Sequence, residues 1–456
     1  MTRGLLESIF RETLAGVDPY RATRDAVGEL TLESPDGIAA IAIGKGAHAM
    51  LHGAMDALRE RDLSLDTAFV VGPDDYADFP PCVRALRGDH PVPGGRSRFA
   101  ADELERWLPS LGAEQRVLVL VSGGATSLMA APITDIPADD LVRVFELVLA
   151  SGTDIVTMNA IRKRILRFGA GRLAVALAPR PVDLLLVSDV LTNDAAAIGS
   201  GPCTGDSLTA AKIRRMADRA GFFDALPPAV REYLDDVYHQ RKPETPKPGS
   251  TLFRTVSTRI VLSNSDAVRR AADGATRLGA SPVRIIQRPL VGEAQRAGSE
   301  LAMRLIAWCQ QLATAGESPD TLACTVAGGE TTVTLGAAAT GLGGRCQELA
   351  LAAARELHRF RPRSDSIALL AAGTDGRDGP TDAAGAIVTA TTWSEIAATG
   401  IDPERALAAH DSWTALDSAG ALLRTGLTGT NVNDLIVAIV RPAVADALVP
   451  TRAAGA

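Results

Sequence analysis

The 456-residue chain is short of cysteine, histidine and aromatic side chains, with five Cys, six His and 4% Phe, Trp and Tyr. Its cysteines (Cys82, Cys203, Cys309, Cys324, Cys346) are odd in number and scattered, with no Cys-x-x-Cys pair. That gives no sign of a disulfide framework or a structural zinc site, and it fits a reducing compartment. No apolar run approaches membrane length. The N-terminal segment sets Glu7 and Glu12 among Leu5, Leu6, Ile9, Phe10 and Leu14, an amphipathic helix rather than a secretory leader. A cytoplasmic location with no membrane partner is therefore expected. Long blocks of like charge are missing too, and a formal net charge of -7 argues against nucleic acid as a partner. What remains is a small-molecule substrate, handled by a monomer or homodimer.

The length exceeds what one hydrophobic core usually organises, so two domains are expected. One rhythm recurs: a short apolar, β-branched run ends abruptly in small or acidic residues, then gives way to a helical segment rich in Ala, Leu and Arg. This is the pattern of a parallel α/β protein. The runs are 38–43 before Gly44-Lys45-Gly46, 117–121 before Ser122-Gly123-Gly124, 184–187 before Ser188-Asp189, and 260–262 before Ser263-Asn264-Ser265-Asp266. Two more are 322–326 before Ala327-Gly328-Gly329-Glu330 and the run opening at Ile367 before Gly373-Thr374-Asp375-Gly376. Ligands of open α/β sheets bind beyond the carboxyl ends of strands, so these six loops are candidate walls of a site. The proline-rich stretch 239–250 reads as an interdomain linker. Residues 331–335 read as a strand that could pair with 322–326 as a hairpin, giving the C-terminal part a mixed sheet. The tail 449–456 is expected to be loose.

The richest loop is Gly373-Thr374-Asp375-Gly376-Arg377-Asp378-Gly379-Pro380-Thr381-Asp382, whose short polar side chains offer hard oxygen ligands and open N–H groups to metal and phosphate. Ser122-Gly123-Gly124-Ala125-Thr126-Ser127 has the chemistry of a phosphate cradle, although no Gly-Lys-Ser/Thr closes it as a Walker motif; its alternative is a plain glycine turn. Gly44-Lys45-Gly46-Ala47-His48-Ala49 matches a Gly-x-Gly-x-x-Ala dinucleotide loop, with Asp74 placed for a ribose; Lys45 could equally neutralise a carboxylate or a transferring phosphoryl group. His48 and His52 have metal-ligand spacing, but Ala49 stands where a protease would carry Glu. The basic run 162–172 could face an anion or simply solvent. Asp189 and Asp194 could hold Mg²⁺ through waters, or cap the next helix. Arg345 opens a helix, where its fork and the helix dipole would both oppose an anion. Thr428-Gly429-Thr430-Asn431-Val432-Asn433-Asp434 is one more polar loop before an apolar run.

In order along the chain, Gly44-Lys45, His90-Pro91-Val92-Pro93, Ser122-Gly123-Gly124, Asn159 with Arg162-Lys163, Ser188-Asp189-Val190 and Ser200-Gly201-Pro202 are followed by a second group of motifs. These are Gly328-Gly329-Glu330-Thr331-Thr332-Val333, Gly343-Gly344-Arg345 with Gln347-Glu348, the Gly373 loop and Thr430-Asn431-Val432-Asn433-Asp434. The ordered set resembles the glycerate 2-kinase family, built from an N-terminal kinase-family domain and a C-terminal MOFRL domain, some members of which are labelled hydroxypyruvate reductase. The resemblance implies an α/β fold of two domains: a Rossmann-like parallel sheet with helices on both faces over 1–240, and a mixed α/β domain over 251–450, with the active site in the cleft between them. It implies ATP- and Mg²⁺-dependent phosphorylation of D-glycerate at its 2-hydroxyl, with Lys45, Arg345 and Asp375 catalytic. On this reading ATP is held by Ser122, Gly123, Gly124, Thr126, Ser127, Asn264, Gly373 and Thr374, and Mg²⁺ by Asp189 and Asp194. The chain departs from the family at Cys346 (usually Asn), at Thr192-Asn193-Asp194 (usually Gly-Asp or Gly-Asp-Asp) and at Gly169, near which a Lys is usual. These departures keep another hydroxy acid of similar size open as the acceptor. An NAD(P)H-dependent hydroxypyruvate reductase and a catalytically silent sensor of a small acid are the rival readings.

Overall fold

The computed structural model describes residues 2–32, 36–75, 78–150, 155–221, 223–335, 341–360 and 366–443. The tail at 449–456 lies outside them. Two compact units divide the chain: residues 18–263, and a second made of residues 1–17 with 264–456.

The first unit is built on a six-stranded sheet, β1 (Ile38–Ile43), β2 (Thr67–Gly72), β3 (Val83–Arg87), β4 (Arg116–Val121), β5 (Val182–Val187) and β6 (Val256–Leu262). The order is β3-β2-β1-β4-β5-β6 and every pairing is parallel. β1 and β5 are buried along their whole length. A strand covered on both faces has no wet side, so its sequence is a continuous apolar run rather than an alternation. Ile41, Val119 and Leu184 pack with Ala101 and Leu104 of the helix Gly95–Trp107 and with Leu173 of the helix Arg172–Leu177. The helix Ala47–Arg59 contacts β1, β2 and β4.

The second unit has a seven-stranded sheet from β7 (Val283–Ile285), β8 (Leu290–Glu293), β9 (Ala323–Thr332), β10 (Ile367–Gly373), β11 (Gly385–Thr389), β12 (Leu422–Leu423) and β13 (Asp434–Val440). Its order is β12-β11-β10-β13-β9-β7, with β8 also on β9. The pairs around β10 and β13 are antiparallel and those of β7 and β8 with β9 are parallel, so the sheet is mixed. Side chains alternate between faces with the period of a strand. Leu369 and Ala371 meet the helices Ala294–Thr314 and Arg345–Phe360, while Leu370 and Ala372 meet Leu6, Ile9 and Phe10 of the helix Thr2–Gly16 and Val268 of the helix Asn264–Arg277.

Two expectations change. The proline-rich stretch 239–250 is not where the chain divides: Glu244 pairs with buried Arg164, Thr245 donates to Asp206, and Pro246 accepts from the Asp206 N–H. The stretch is pinned by the Lys163–Asp206–Arg164 cluster, and β6 beyond it completes the parallel sheet. The hairpin is also absent. β9 runs straight through Gly328 and Gly329, and the mixed sheet arises from the antiparallel β10 and β13. These glycines serve close packing rather than a turn: a Cβ on Gly328 would lie 1.7 Å from Asn264 Oδ1, and one on Gly329 2.4 Å from Leu290 O.

Candidate active site

In the first unit the strand order reverses between β1 and β4, the switch point at which such sheets leave a crevice beyond their carboxyl ends. The two loops at that point interlock. Gly44 is left-handed (φ 130°), and a Cβ there would sit 2.2 Å from Ser122 Oγ; the Lys45 N–H donates to Gly123 O (2.9 Å) and the Gly46 N–H to Ser122 Oγ (2.9 Å). With Gly44 donating to Val71 O and Ala47 to Gly44 O, all four N–H groups of this turn are used, which disfavours a pyrophosphate at the dinucleotide-like fingerprint. The N–H groups of Gly123 and Gly124, by contrast, have no acceptor among the described residues. Gly124 is left-handed (φ 83°), and a Cβ there would approach the His90 ring at 3.0 Å and the Lys45 stem at 3.3 Å. Asp189 lies within electrostatic reach of Lys45: burial pushes its carboxyl up, opposed first by a backbone hydrogen bond and then by the charge of Lys45. Thus Lys45, Gly123, Gly124 and Asp189 come together. Thr126 lines a cavity with Ile43, Met129, Phe168 and Gly199, its hydroxyl 2.8 Å from Ser200 Oγ. The Ser127 hydroxyl donates back to Gly124 O.

Asp194 stands apart. It is exposed, and its carboxylate accepts the Ala196 N–H at 2.9 Å within its own turn, while the short helix Ile198–Ser200 that follows has Ala197 at its cap position and no side-chain cap. Much of the basic run is structural as well: Lys163 and Arg164 neutralise Asp206, Arg167 binds Asp102 and Glu105, and Arg172 donates to carbonyls of its own turn. His48 and His52 pack with Phe79, ring centroids 4.6 Å apart, an apolar cluster rather than a ligand pair.

In the second unit the register aligns Gly373 with Asp434 and Asp434 with Gly329, so the β10 loop, the start of β13 and the end of β9 share one sheet edge. Arg345, partly buried at the start of its helix, grips Asp434 through both prongs, Nε to Oδ2 at 2.7 Å and Nη2 to Oδ1 at 2.8 Å, with Glu330 3.9 Å away. Such bidentate pairing fixes the guanidinium plane. Asp378 caps the same helix, accepting the Cys346 and Gln347 N–H groups at 3.1 and 2.8 Å. Burial, and then the nearby Asp434 carboxylate, push Asp378 up to about 7 despite these donors. Cys346 is buried beside the same carboxylates, and its thiol is pushed well up by burial first and by their charge second. A thiol held neutral is no nucleophile.

Other nominated residues of this unit hold the frame. The Thr374 hydroxyl donates to Asn433 O (2.7 Å) and accepts from the Val432 N–H; the Gly373 N–H is used by Ala384 O. The Asn264 amide donates to Val432 O and Asp434 O, tying the polar loop 428–433 in place. Asp375 is partly buried just past β10, with one carboxylate oxygen on the Arg377 N–H at 3.1 Å. Reading the motifs singly missed Asp434 and Glu330 as the partners of Arg345. Both lay in quoted polar stretches, but only the antiparallel register of β9, β13 and β10 brings them to the arginine.

Two family models match the chain: the domain of unknown function DUF4147 over residues 5–235 and the MOFRL family over residues 323–434. A glycerate 2-kinase of Pyrococcus horikoshii is 33% identical over 94% of this chain and 95% of its own. A putative hydroxypyruvate reductase of Agrobacterium vitis is 35% identical over 95% and 93%. The crystal structure of a glycerate kinase from Thermotoga maritima superimposes with a TM-score of 0.80 at 31% identity, covering 96% of this chain and 99% of that one. With both domain models in order and similarity along nearly the whole length, this chain belongs to the glycerate 2-kinase family of DUF4147 and MOFRL architecture.

Proposed function

We propose that the protein is a glycerate 2-kinase that transfers the γ-phosphoryl group of Mg·ATP to the 2-hydroxyl of D-glycerate. The observation that carries this reading is the nearly full-length similarity to glycerate 2-kinases in a chain with Lys45 and Asp375 just past strand ends and Arg345 at a helix start. Phosphoryl transfer asks the protein chiefly for positioning and charge neutralisation. The ammonium of Lys45 neutralises charge on the transferring phosphoryl group, and the N–H groups of Gly123 and Gly124 cradle phosphate oxygens. Arg345, its plane set by Asp434, opposes the substrate carboxylate. Asp375 accepts the proton of the attacking hydroxyl. Mg²⁺, once bound, would offset the charge of the phosphate groups, and an ion of this kind needs only one or two protein carboxylates beside phosphates and waters. Asp189, within electrostatic reach of Lys45, fits that role better than exposed Asp194, whose Oδ1 accepts an N–H of its own turn. The buried thiol of Cys346 in place of an amide leaves a close analogue of glycerate as the alternative acceptor.

The test is ADP release from purified protein with Mg·ATP and D-glycerate, run beside L-glycerate, a panel of C3 and C4 hydroxy acids, and hydroxypyruvate with NADH. ADP with D-glycerate and recovery of 2-phosphoglycerate are expected. NADH oxidation without ADP release would replace the kinase with a reductase.

A further inference from the structure

Glu348 is 2% exposed, one turn into the helix that Arg345 opens, and no Lys or Arg pairs with it among the described residues. Its carboxylate instead takes Nδ1 of His410 at 3.0 and 3.1 Å and the Gln295 amide at 2.9 Å. Core packing alone would be better served by an apolar side chain at that depth, so the group calls for another reason. His410 itself sits in the left-handed region (φ 57°), uncommon outside glycine and tolerated best by Asn, Asp and His. Its turn clasps the glycine loop 341–344 that leads into Arg345. The Gly341 N–H donates to Ala409 O (3.2 Å), the Leu342 N–H to Asp411 Oδ1 (3.0 Å), and the Trp413 N–H to Leu342 O (2.8 Å). The fit leaves no room for side chains: a Cβ on Gly343 would be 2.2 Å from Ser412 Oγ, and one on Gly344 2.2 Å from the Asp378 carboxyl carbon.

From this geometry we infer that His410 and Glu348 are positioning residues for Arg345: their hydrogen bond sets the 409–413 turn, the turn sets the glycine loop, and the loop aims the guanidinium. The inference rests on Arg345 acting in catalysis, yet its structural half can be tested without turnover. Asn and Asp have equal size and both tolerate left-handed backbone, and the Asn amide nitrogen occupies the place of Nδ1. His410→Asn keeps a donor to Glu348, whereas His410→Asp sets two acceptors face to face.

Hydrogen exchange at residues 341–347 and phosphoryl transfer are measured together. His410→Asp is expected to raise exchange at 341–347 while β10 and β13 stay protected, and to lower kcat about 10- to 100-fold, the scale of an ångström-sized misplacement. His410→Asn is expected to restore both. In an Arg345→Ala background, His410→Asp is expected to cost no further activity, because the two act as a unit. Should the Asp variant not fold, Glu348→Gln, which leaves a single acceptor for His410 and Gln295, is expected to raise the same exchange. Unchanged exchange at 341–347, equal kcat for the Asn and Asp variants, or additive losses would overturn the proposal. If the wild-type protein transfers phosphate to no hydroxy acid, the proposed function fails, and the exchange measurements still decide whether the clasp exists.

Discussion

Lys45 and Asp375 carry opposite charges at the ends of strands, and the proposed chemistry gives them opposite tasks. Lys45→Ala removes a cation from the transferring phosphate, and Asp375→Asn removes a proton acceptor; each is expected to lower kcat about 100-fold or more with thermal stability retained, as steady-state ADP release with parallel melting curves will show. Near wild-type turnover in either would sink the assignment. Asp378 makes a prediction of a different kind. Its carboxyl is near 3.8 when exposed and about 7 in the fold, so between those values the folded protein holds a proton that the unfolded chain has released. Its contribution to stability is therefore complete below about pH 4 and is lost as pH rises through 7. Between pH 5 and 8 the melting temperature of the wild type should fall more steeply than that of Asp378→Asn; parallel curves would show that the carboxyl titrates normally. The residue types of this site were legible in the sequence as polar strand-end loops. Their division of labour was not: Thr374 and Asn264 read as ligand contacts until their hydrogen bonds showed them tying loops together.

At the level of elements, the apolar runs before Gly44, Ser122, Ser188 and Gly373 each end a strand, because a strand buried on both faces leaves an unbroken signal that stops where the chain meets a loop; the run before Ser263 also ends a strand, although only Leu262 of it is buried. Weakly buried β3, β7 and β8 carry no such signal, since an exposed edge strand needs little apolar sequence. Gly328-Gly329 misled for a physical reason: a glycine pair marks a turn or a close approach equally well, and only the neighbours, Asn264 and Leu290, tell them apart. Gly328→Ala should accordingly destabilise the protein by roughly 1–3 kcal/mol, the usual cost of overpacking. Pairing it with Asn264→Gly should relieve part of that loss in a denaturant titration. Full tolerance of Gly328→Ala alone would mean that the Asn264 side chain has room to move.

On the scale of the whole chain, the helix Thr2–Gly16 belongs with residues 264–456 although some 246 residues separate them. Leu6, Ile9 and Phe10 are fully buried against residues of β9, β10 and β13. A chain lacking residues 1–17 should thus lose protection from hydrogen exchange in β10, β13 and the helix Asn264–Arg277, and keep it in β1, β4 and β5. Loss spread evenly over both sheets would contradict the division. The amphipathic pattern of this helix was plain in the sequence, but its destination was not, because a hydrophobic stripe specifies that a partner exists and not which one.

That separation also imposes an order of events on the ribosome. Residues 18–263 are contiguous and can close their sheet while the rest is still being made. The first helix, however, emerges with its apolar stripe uncovered. At about 5–20 residues per second, β10 follows it by roughly 20–70 s. Throughout that interval the apolar stripe of the helix Thr2–Gly16 waits for its partners in β9, β10 and β13, so nascent-chain chaperones are expected to engage that helix and to let go only once β13 has been translated.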